Sequence, residues 1–195
     1  MAKLKNVCVY CGSAKGSNPA YAQAARALGS ALAREKIRLV YGGGGIGMMG
    51  EIARGVEDAG GKVLGIIPDF LVAREHAAQG RREIVRVRDM HERKRTMFER
   101  ADAFVALPGG IGTLEEFFEV LSWRTLGLHT KPIVILDVGG YWQPLAQLLL
   151  SCVEGGFADR AHLDVVAFID RLDDLLPTLA RMPRRDIAEK ALDRL

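Results

Sequence analysis

The stretch AFVALPGGIGTLEE, residues 103–116, joins a short apolar run to a glycine-rich turn that ends in two adjacent carboxylates. The run AFVAL (103–107) has the length and composition of a buried strand, and the segment after the turn is predicted to be helical to about Gly127. A strand that enters a helix through a tight turn is the repeating unit of a parallel sheet covered by helices.

The same alternation extends along the 195-residue chain, with Asn18 and Pro19 as the cap and first turn of the first helix. Further strands are predicted at 6–11, 37–42, 62–68, 84–87, 132–138 and 164–169, and helices at 19–36, 47–60, 89–101 and about 141–153. The pattern predicts one α/β domain over residues 1–195, a parallel sheet with helices on both faces, and a helical C-terminal end from about 170 to 195. Residues 70–83 form the longest irregular segment, interpreted as either a lid or a plain loop.

Composition narrows the function classes. Hydrophobic residues make up 49% and charged residues 26%, with a net charge of +3, which is too small to indicate nucleic-acid binding. Positive charge is concentrated in residues 74–100, read either as a solvated face or as a rim for an anionic small molecule; no aromatic platform for nucleic acid lies beside it.

Three cysteines, no recognisable signal segment and apolar runs too short to cross a bilayer predict a cytoplasmic protein without membrane contact. Cys8 and Cys11 are read as buried apolar residues. The four histidines lack ligand spacing, so we expect no metal.

Three turns carry glycine or serine at strand ends: CGSAKG (11–16), YGGGGIGMMG (41–50) and PGGIGTLEE (108–116). In open parallel sheets ligands bind beyond the carboxyl ends of the strands, so these turns are predicted to form one site. Glycine allows a ligand to approach the backbone N–H groups, and a helix start attracts an anion. From the first two turns we assign Ser13, Gly43 and Gly44 to substrate binding.

Residues 45–50 also match G-x-G-x-x-G, the dinucleotide fingerprint. The fingerprint normally follows the first strand, here it follows the second, and the acid nearest the required distance, Asp69, follows Pro68. No G-x-x-x-x-G-K-[ST] motif is present either, so we expect neither a nicotinamide cofactor nor a P-loop.

The third turn allows two readings of its acids. Thr113 to Glu116 matches a capping box, in which Glu116 would accept the backbone N–H of Thr113. Alternatively, Glu115 and Glu116 lie in the first helical turn and reach the cleft that the glycines open. The two readings are compatible.

The predicted helix 89–101 presents Met90, Arg93, Met97 and Ala101 on one stripe. An arginine on an apolar stripe either extends its charged end to solvent or pairs with a group in a cleft. Glu116 at the same sheet edge favours the cleft.

Together these segments resemble the LOG ("Lonely Guy") family of cytokinin-activating phosphoribohydrolases. The likeness rests on VCVYCGSAKG, LVYGGGGIGMMGEIA, DMHERKRTMFERADAFVALPGGIGTLEE and WRTLGLHTKPIVIL, in that order within residues 5–150. It implies a Rossmann-like doubly wound sheet, a homodimer, and hydrolysis of the N-glycosidic bond of a nucleoside 5′-monophosphate. Lysine decarboxylase, an older label for such sequences, has no supporting pyridoxal-phosphate motif here.

The resemblance also implies roles for individual residues. Arg93 and Glu116 would be the catalytic pair. In the mechanism that we expect for this reaction, the apolar residues Met90 and Met97 contact the base or the dimer interface. Substrate contacts would come from Glu75, Lys94, Gly109, Gly110, Ile111, Gly112, Thr113, Leu114 and Glu115. The expected substrates are N6-modified adenosine 5′-monophosphates and AMP, without a cofactor. A non-catalytic nucleotide carrier or sensor, which needs the turns but not the Arg93–Glu116 pair, is the alternative.

Overall fold

A computed structural model describes residues 4–73 and 82–182. That part of the chain contains seven strands and six α-helices. The strands are β1 (Asn6–Tyr10), β2 (Arg38–Tyr41), β3 (Val63–Pro68), β4 (Glu83–Val87), β5 (Ala103–Ala106), β6 (Ile133–Leu136) and β7 (Val166–Ile169). The helices are α1 (Pro19–Arg34), α2 (Gly47–Asp58), α3 (Met90–Arg100), α4 (Ile111–Thr125), α5 (Gln143–Glu154) and α6 (Leu175–Arg181).

The strands form one sheet in the order β4-β3-β2-β1-β5-β6-β7. Every adjacent pair is parallel. The predicted parallel α/β fold is therefore confirmed, with strands that start or end one to two residues inside most of the predicted runs. The second terminal helical stretch, RDIAEKALDRL, lies outside the described residues, as does most of the segment 70–83.

Helices cover both faces of the sheet, as predicted. Val7 and Val9 of β1 belong to a core shared with α1, α2 and α6. Cys8 and Tyr10 belong to a second core shared with α3, α4 and α5. This alternation follows from the two-residue period of a strand. Cys8 and Cys11 are both buried, in agreement with their reading as apolar residues.

The order of the strands places the site. Strands β2, β3 and β4 follow one another on one side of β1, and β5, β6 and β7 follow one another on the other side. The connections diverge between β1 and β5, and such a switch point leaves a crevice at the carboxyl ends of the strands. The predicted turns after β1, β2 and β5 all start at this edge.

The loop after α4 is held by a buried histidine. The His129 Nε2 atom donates to the Val120 carbonyl at 2.8 Å, while Nδ1 accepts from the Lys131 N–H at 3.1 Å. Arg124 donates to the His129 carbonyl at 3.0 Å. Burial lowers the pKa of His129, and the charges of Arg124 and Lys131 lower it further, against the opposing hydrogen bond to Val120. These contacts fix one neutral tautomer.

We expect the protein to lose stability in mild acid because of His129. Its folded-state pKa lies below the unfolded value of about 6.5, so below that pH the unfolded chain binds more protons and the free energy of unfolding falls. The check is the melting temperature between pH 7.5 and pH 5.5. In His129→Gln the fall should be smaller than in the wild type, whereas the exposed His91→Gln should retain the wild-type slope. Equal slopes in all three proteins would contradict the assignment.

Candidate active site

A cavity of about 550 Å³ opens at the carboxyl edge of the sheet. All three predicted turns contribute to its wall, together with helices α3 and α4. Its lining includes Gly12, Ser13, Gly42, Met90, Arg93, Gly110, Gly112, Thr113, Glu115 and Glu116. The turns thus meet at one site, as the position of their strands predicted.

The first and third turns are joined through their backbones. The Gly12 N–H donates to the Pro108 carbonyl at 3.0 Å, next to the Leu107–Tyr10 hydrogen bond of 2.9 Å that ends the β1–β5 ladder. A Cβ atom on Gly109 would lie 2.1 Å from the Thr113 hydroxyl oxygen and 2.8 Å from the Gly12 nitrogen. Only glycine at position 109 lets the third turn pack this closely against Thr113 and the first turn.

Helix α4 starts differently from the capping-box reading. Its N-cap is Gly110, in extended conformation, with no hydrogen bond from a capping side chain. Thr113 is therefore the third helical residue and cannot be the cap, and Glu115 and Glu116 lie in the second turn rather than the first. The capping-box prediction and the first-turn placement of the acids are both wrong, because the glycines let the helix begin earlier than the polar residues suggested.

This early start leaves backbone donors at the cavity. The Leu114 N–H makes the first hydrogen bond of the helix, to the Gly110 carbonyl at 3.1 Å. The N–H groups of residues 111–113 precede that bond, and the first N–H groups of a helix have no intrahelical acceptor. With a glycine cap and the positive end of the helix dipole, they form a binding surface for an anion.

Arg93 enters the cavity from α3. The helix begins after Asp89, whose side chain accepts the Glu92 N–H at 2.8 Å. Arg93 lies one turn further on and is only 5% exposed. Its Nη2 atom donates to the Gly42 carbonyl at 3.2 Å, and its Nη1 atom lies 3.7 Å from the Met90 sulfur.

The Arg93 guanidinium keeps donor capacity for a ligand. Among the described residues, its Nε atom is one of three buried side-chain nitrogen or oxygen atoms without a hydrogen-bond partner. A buried unpaired donor is costly, and such atoms in native structures call for an explanation. Since Arg93 lines the cavity, its guanidinium is a candidate contact for an acceptor bound there.

Glu116 lies on the α4 side of the same cavity and is 9% exposed. Burial raises the pKa of the Cys8 thiol and of the Tyr10 phenol, and the nearby charge of Glu116 raises both further. Both neighbours therefore stay protonated beside the Glu116 carboxylate. The structure brings Arg93 and Glu116 together; their catalytic roles stay predictions.

Lys94, which the resemblance assigns to substrate contact, pairs with two carboxylates of α4. Its ammonium forms ion pairs with Glu115 and, at 2.9 Å, with Glu119, and it does not line the cavity. Burial lowers the pKa of Lys94, but the hydrogen bonds to Glu115 and Glu119 outweigh it and the pKa is raised. Lys94 thus ties the helix of Arg93 to the helix of Glu116.

The remaining predicted residues divide into two groups. Ser13, Gly110, Ile111, Gly112, Thr113 and Glu115 line the cavity. Gly43, Gly44, Gly109 and Leu114 do not: the first two are buried, with Gly43 against Ile66 and Ile67, and Leu114 packs on the core. Glu75 lies outside the described residues.

The two methionines of the α3 stripe differ in position. Met90 lines the cavity, whereas Met97 is 1% exposed and belongs to the core. Met97 thus faces the core, as an apolar helical stripe normally does, and a contact with the base or a dimer partner does not fit its position.

Sequence reasoning missed the specific role of Gly42. A Cβ atom there would lie 1.9 Å from the Arg93 Nη2 atom. The glycine run pointed to the turn, but no sequence signal connects Gly42 to an arginine 51 residues later.

Neither a metal cluster nor a membrane-spanning helix is found in the described part of the chain. Within residues 4–73 and 82–182, no group of three His, Cys, Asp or Glu side chains is placed to hold a metal ion. None of the helices in that same part of the chain is long and apolar enough to span a bilayer.

Comparisons with known proteins agree on the family. A family model described as "Possible lysine decarboxylase" matches residues 49–179. A probable cytokinin riboside 5′-monophosphate phosphoribohydrolase, LOG4 of Oryza sativa subsp. japonica, is 44% identical over 176 residues, covering 90% of this chain and 76% of that protein. A cytokinin riboside 5′-monophosphate phosphoribohydrolase of Rhodococcoides fascians is 49% identical over 158 residues, covering 80% of each chain.

The Moco carrier protein of Chlamydomonas reinhardtii is similar in structure, with a TM-score of 0.67 at 19% identity over 99% of this chain and 100% of that one. At that identity the likeness shows the fold alone. The family model covers residues 49–179, which include the third turn, Arg93 and Glu116, and the two curated relatives align with 90% and 80% of the chain. The chain belongs to the LOG family of cytokinin riboside 5′-monophosphate phosphoribohydrolases.

Proposed function

We propose that this protein hydrolyses the N-glycosidic bond of N6-modified adenosine 5′-monophosphates and of AMP, releasing the free base and ribose 5-phosphate. The observation that carries the proposal is one cavity that holds an uncapped helix start, the buried guanidinium of Arg93 and the carboxylate of Glu116. The curated relatives at 44% and 49% identity, named for this activity, support the same reaction.

The start of α4 suits the 5′-phosphate of such a substrate. Its N–H groups and dipole favour an anion, and Thr113 adds a hydroxyl. Gly110 and Gly112 leave open space at the positions where a side chain would begin, so phosphate oxygens could approach the backbone closely.

The chemistry then falls to Glu116 and Arg93. Cleavage of the C1′–N9 bond builds positive charge on the ribose, as in other glycoside hydrolyses, and a carboxylate beside C1′ stabilises that charge. Glu116 also takes a proton from the attacking water, whose oxygen forms the new bond to C1′. The bonding pair leaves with N9, and the base takes up a proton from solvent.

Arg93 acts through charge and hydrogen bonds. A guanidinium does not give up a proton in proteins, so it is not a general acid. It stabilises negative charge on the departing base or on the phosphate, using the donor that has no partner within the described structure. No step in this scheme requires a cofactor.

A chromatographic assay with N6-isopentenyl-AMP and with AMP tests the proposal. Release of base together with an equal amount of ribose 5-phosphate supports hydrolysis, and the ratio of the two rates gives the preference between the bases. Binding of AMP without any base release would instead support the carrier or sensor alternative.

The substitution Gly112→Ala tests the phosphate site, because we expect it to preserve or raise thermal stability while it weakens binding of the nucleotide. A Cβ atom on Gly112 meets no atom within 4 Å, and alanine is the better helix former by up to about 1 kcal/mol, so Gly112→Ala should melt at the same temperature or higher. The same methyl group would occupy space beside the phosphate, so we expect the KM for AMP to rise roughly tenfold, equivalent to about 1.4 kcal/mol.

Gly109→Ala is the contrasting variant. Its Cβ atom would collide with the Thr113 side chain and the Gly12 backbone, so we expect a lower melting temperature. A Gly112→Ala protein with unchanged KM would show that the phosphate does not approach this turn.

We also propose that the protein acts in the cytoplasm as a homodimer. Several apolar side chains on and after α4 and α5 are exposed, among them Leu126, Leu128 and Phe157 at 66%, 66% and 91%. Exposed apolar groups of this size often mark interaction surfaces. Sedimentation analysis of the purified protein checks the dimer: a species of twice 21.3 kDa is expected, and a monomer at micromolar concentration would contradict it.

A further inference from the structure

A tyrosine from the far half of the sheet contacts the third turn. The Tyr141 hydroxyl donates to the Gly109 carbonyl at 2.6 Å, across 32 residues of sequence. Nothing in the family motifs points to this residue, since it follows β6 and lies outside all three turns.

Tyr141 is held firmly in its place. Just before it, Gly139 and Gly140 have φ values of +65° and +77°, which turn the chain back toward the sheet edge. The two residues that follow Tyr141 are anchored as well. The Trp142 N–H and the Gln143 side-chain amide donate to the buried Asp137 carboxylate at 2.6 Å and 2.8 Å.

The ring of Tyr141 is also fixed. It contacts Tyr21 of α1 edge-on, with ring centroids 5.4 Å apart, and Trp142 at 4.8 Å. The hydroxyl is therefore presented to Gly109 by a ring that packs against residues of α1 and of the segment between β6 and α5, although the side chain is 37% exposed.

The contact with Gly109 has a direct effect on the cavity. In a trans peptide the carbonyl of one residue and the N–H of the next lie in one plane and point in opposite directions. By holding the Gly109 oxygen, Tyr141 fixes the direction of the Gly110 N–H. Gly110 lines the cavity and Gly109 does not, so the carbonyl oxygen, which would repel an anion, is kept out of the cavity wall.

We propose that Tyr141 is a positioning residue for the phosphate subsite: its hydroxyl sets the Gly109–Gly110 peptide so that the start of α4 presents donors to a phosphate group. The proposal rests on the proposed function, because it assumes that the phosphate of the nucleotide binds at this helix start. Tyr141 takes no part in the bond cleavage itself.

The test compares Tyr141→Phe with the wild type and with Tyr21→Phe, which removes the hydroxyl of the neighbouring ring. Two inhibitors separate the subsites: ribose 5-phosphate carries the phosphate, whereas adenine carries none. In Tyr141→Phe we expect inhibition by ribose 5-phosphate to weaken about 3- to 10-fold, the range for loss of one hydrogen bond, with adenine inhibition unchanged. The KM for AMP should rise more than kcat falls, and Tyr21→Phe should behave as the wild type.

Equal weakening of both inhibitors would overturn the proposal, since it would indicate a general structural effect. An unchanged ribose 5-phosphate constant would overturn it as well. Calorimetric binding of ribose 5-phosphate separates the proposed function from the role of Tyr141. If no nucleotide is hydrolysed but binding of ribose 5-phosphate still depends on Tyr141, only the proposed function fails. If hydrolysis occurs without that dependence, only the role of Tyr141 fails.

Discussion

Glu116→Gln is expected to lower kcat by about 10²- to 10⁴-fold, the range for loss of a positioned acid or base. The amide has the shape of the carboxylate but carries no charge and cannot take a proton from water. It therefore removes both effects assigned to Glu116 while leaving the cavity and the start of α4 in place. The binding constant for AMP, measured by calorimetry, should change little, because the phosphate contacts lie about a turn earlier in the helix.

The control for this variant is Glu119→Gln. Glu119 lies on the same helix, contacts Lys94 as Glu115 does, and does not line the cavity. It should lose less than about threefold in activity, as expected for one partner of an ion pair near the surface. Full activity in Glu116→Gln, or an equal loss in both variants, would remove Glu116 from the mechanism.

The fold could be predicted because each strand and helix is marked by residues within its own segment of the sequence. Each strand is a short apolar run bounded by turn residues, and α1 begins as predicted, with the Asn18 side chain accepting the Ala20 N–H at 3.0 Å before Pro19. The parallel arrangement followed from the alternation with helices. The meeting of three turns then required only the rule for the carboxyl edge of such sheets.

The finer geometry of the site depends on contacts between distant segments and was not predictable in the same way. Lys94 follows Arg93 in sequence, yet its ion pairs point it to Glu115 and Glu119 rather than into the cavity. The start of α4 was misplaced because a capping-box pattern competed with a glycine cap. For Lys94 a neighbouring helix decided the outcome, whereas for the start of α4 one local pattern outweighed another.

The glycine pattern of residues 45–50 shows a related limit. From the sequence, the phosphate is assigned to the glycine turns and Thr113 together, without a choice between the starts of α2 and α4. In the structure, the Met48 N–H at the start of α2 donates to the Ala14 carbonyl at 3.3 Å, so the first turn already occupies one of its donors. Neither helix has a capping side chain, but among the described residues the backbone N–H groups of 111–113 at α4 have no such backbone acceptor, and for this reason we propose the phosphate there.

Gly42→Ala is expected to lower kcat/KM by about 10²-fold or more through Arg93, although Gly42 itself does none of the chemistry. The added methyl group would lie 1.9 Å from Nη2 and 3.1 Å from Cζ of Arg93, and 3.1 Å from the Met49 sulfur, so the guanidinium must move and lose its hydrogen bond to the Gly42 carbonyl. A displacement of about 1 Å at a catalytic group can cost two orders of magnitude in rate.

A double-mutant cycle separates this effect from a general disturbance of the turn. Arg93→Ala removes the guanidinium, and we expect it to lose at least as much activity as Gly42→Ala. In the Arg93→Ala background the added methyl group at position 42 would meet no guanidinium, so adding Gly42→Ala should cost little more, and the coupling between the two positions should be large. Additive losses would mean that Gly42→Ala acts on the turn rather than on Arg93. Unchanged kcat/KM in Gly42→Ala, with the protein folded, would show that the reaction does not depend on where the guanidinium lies.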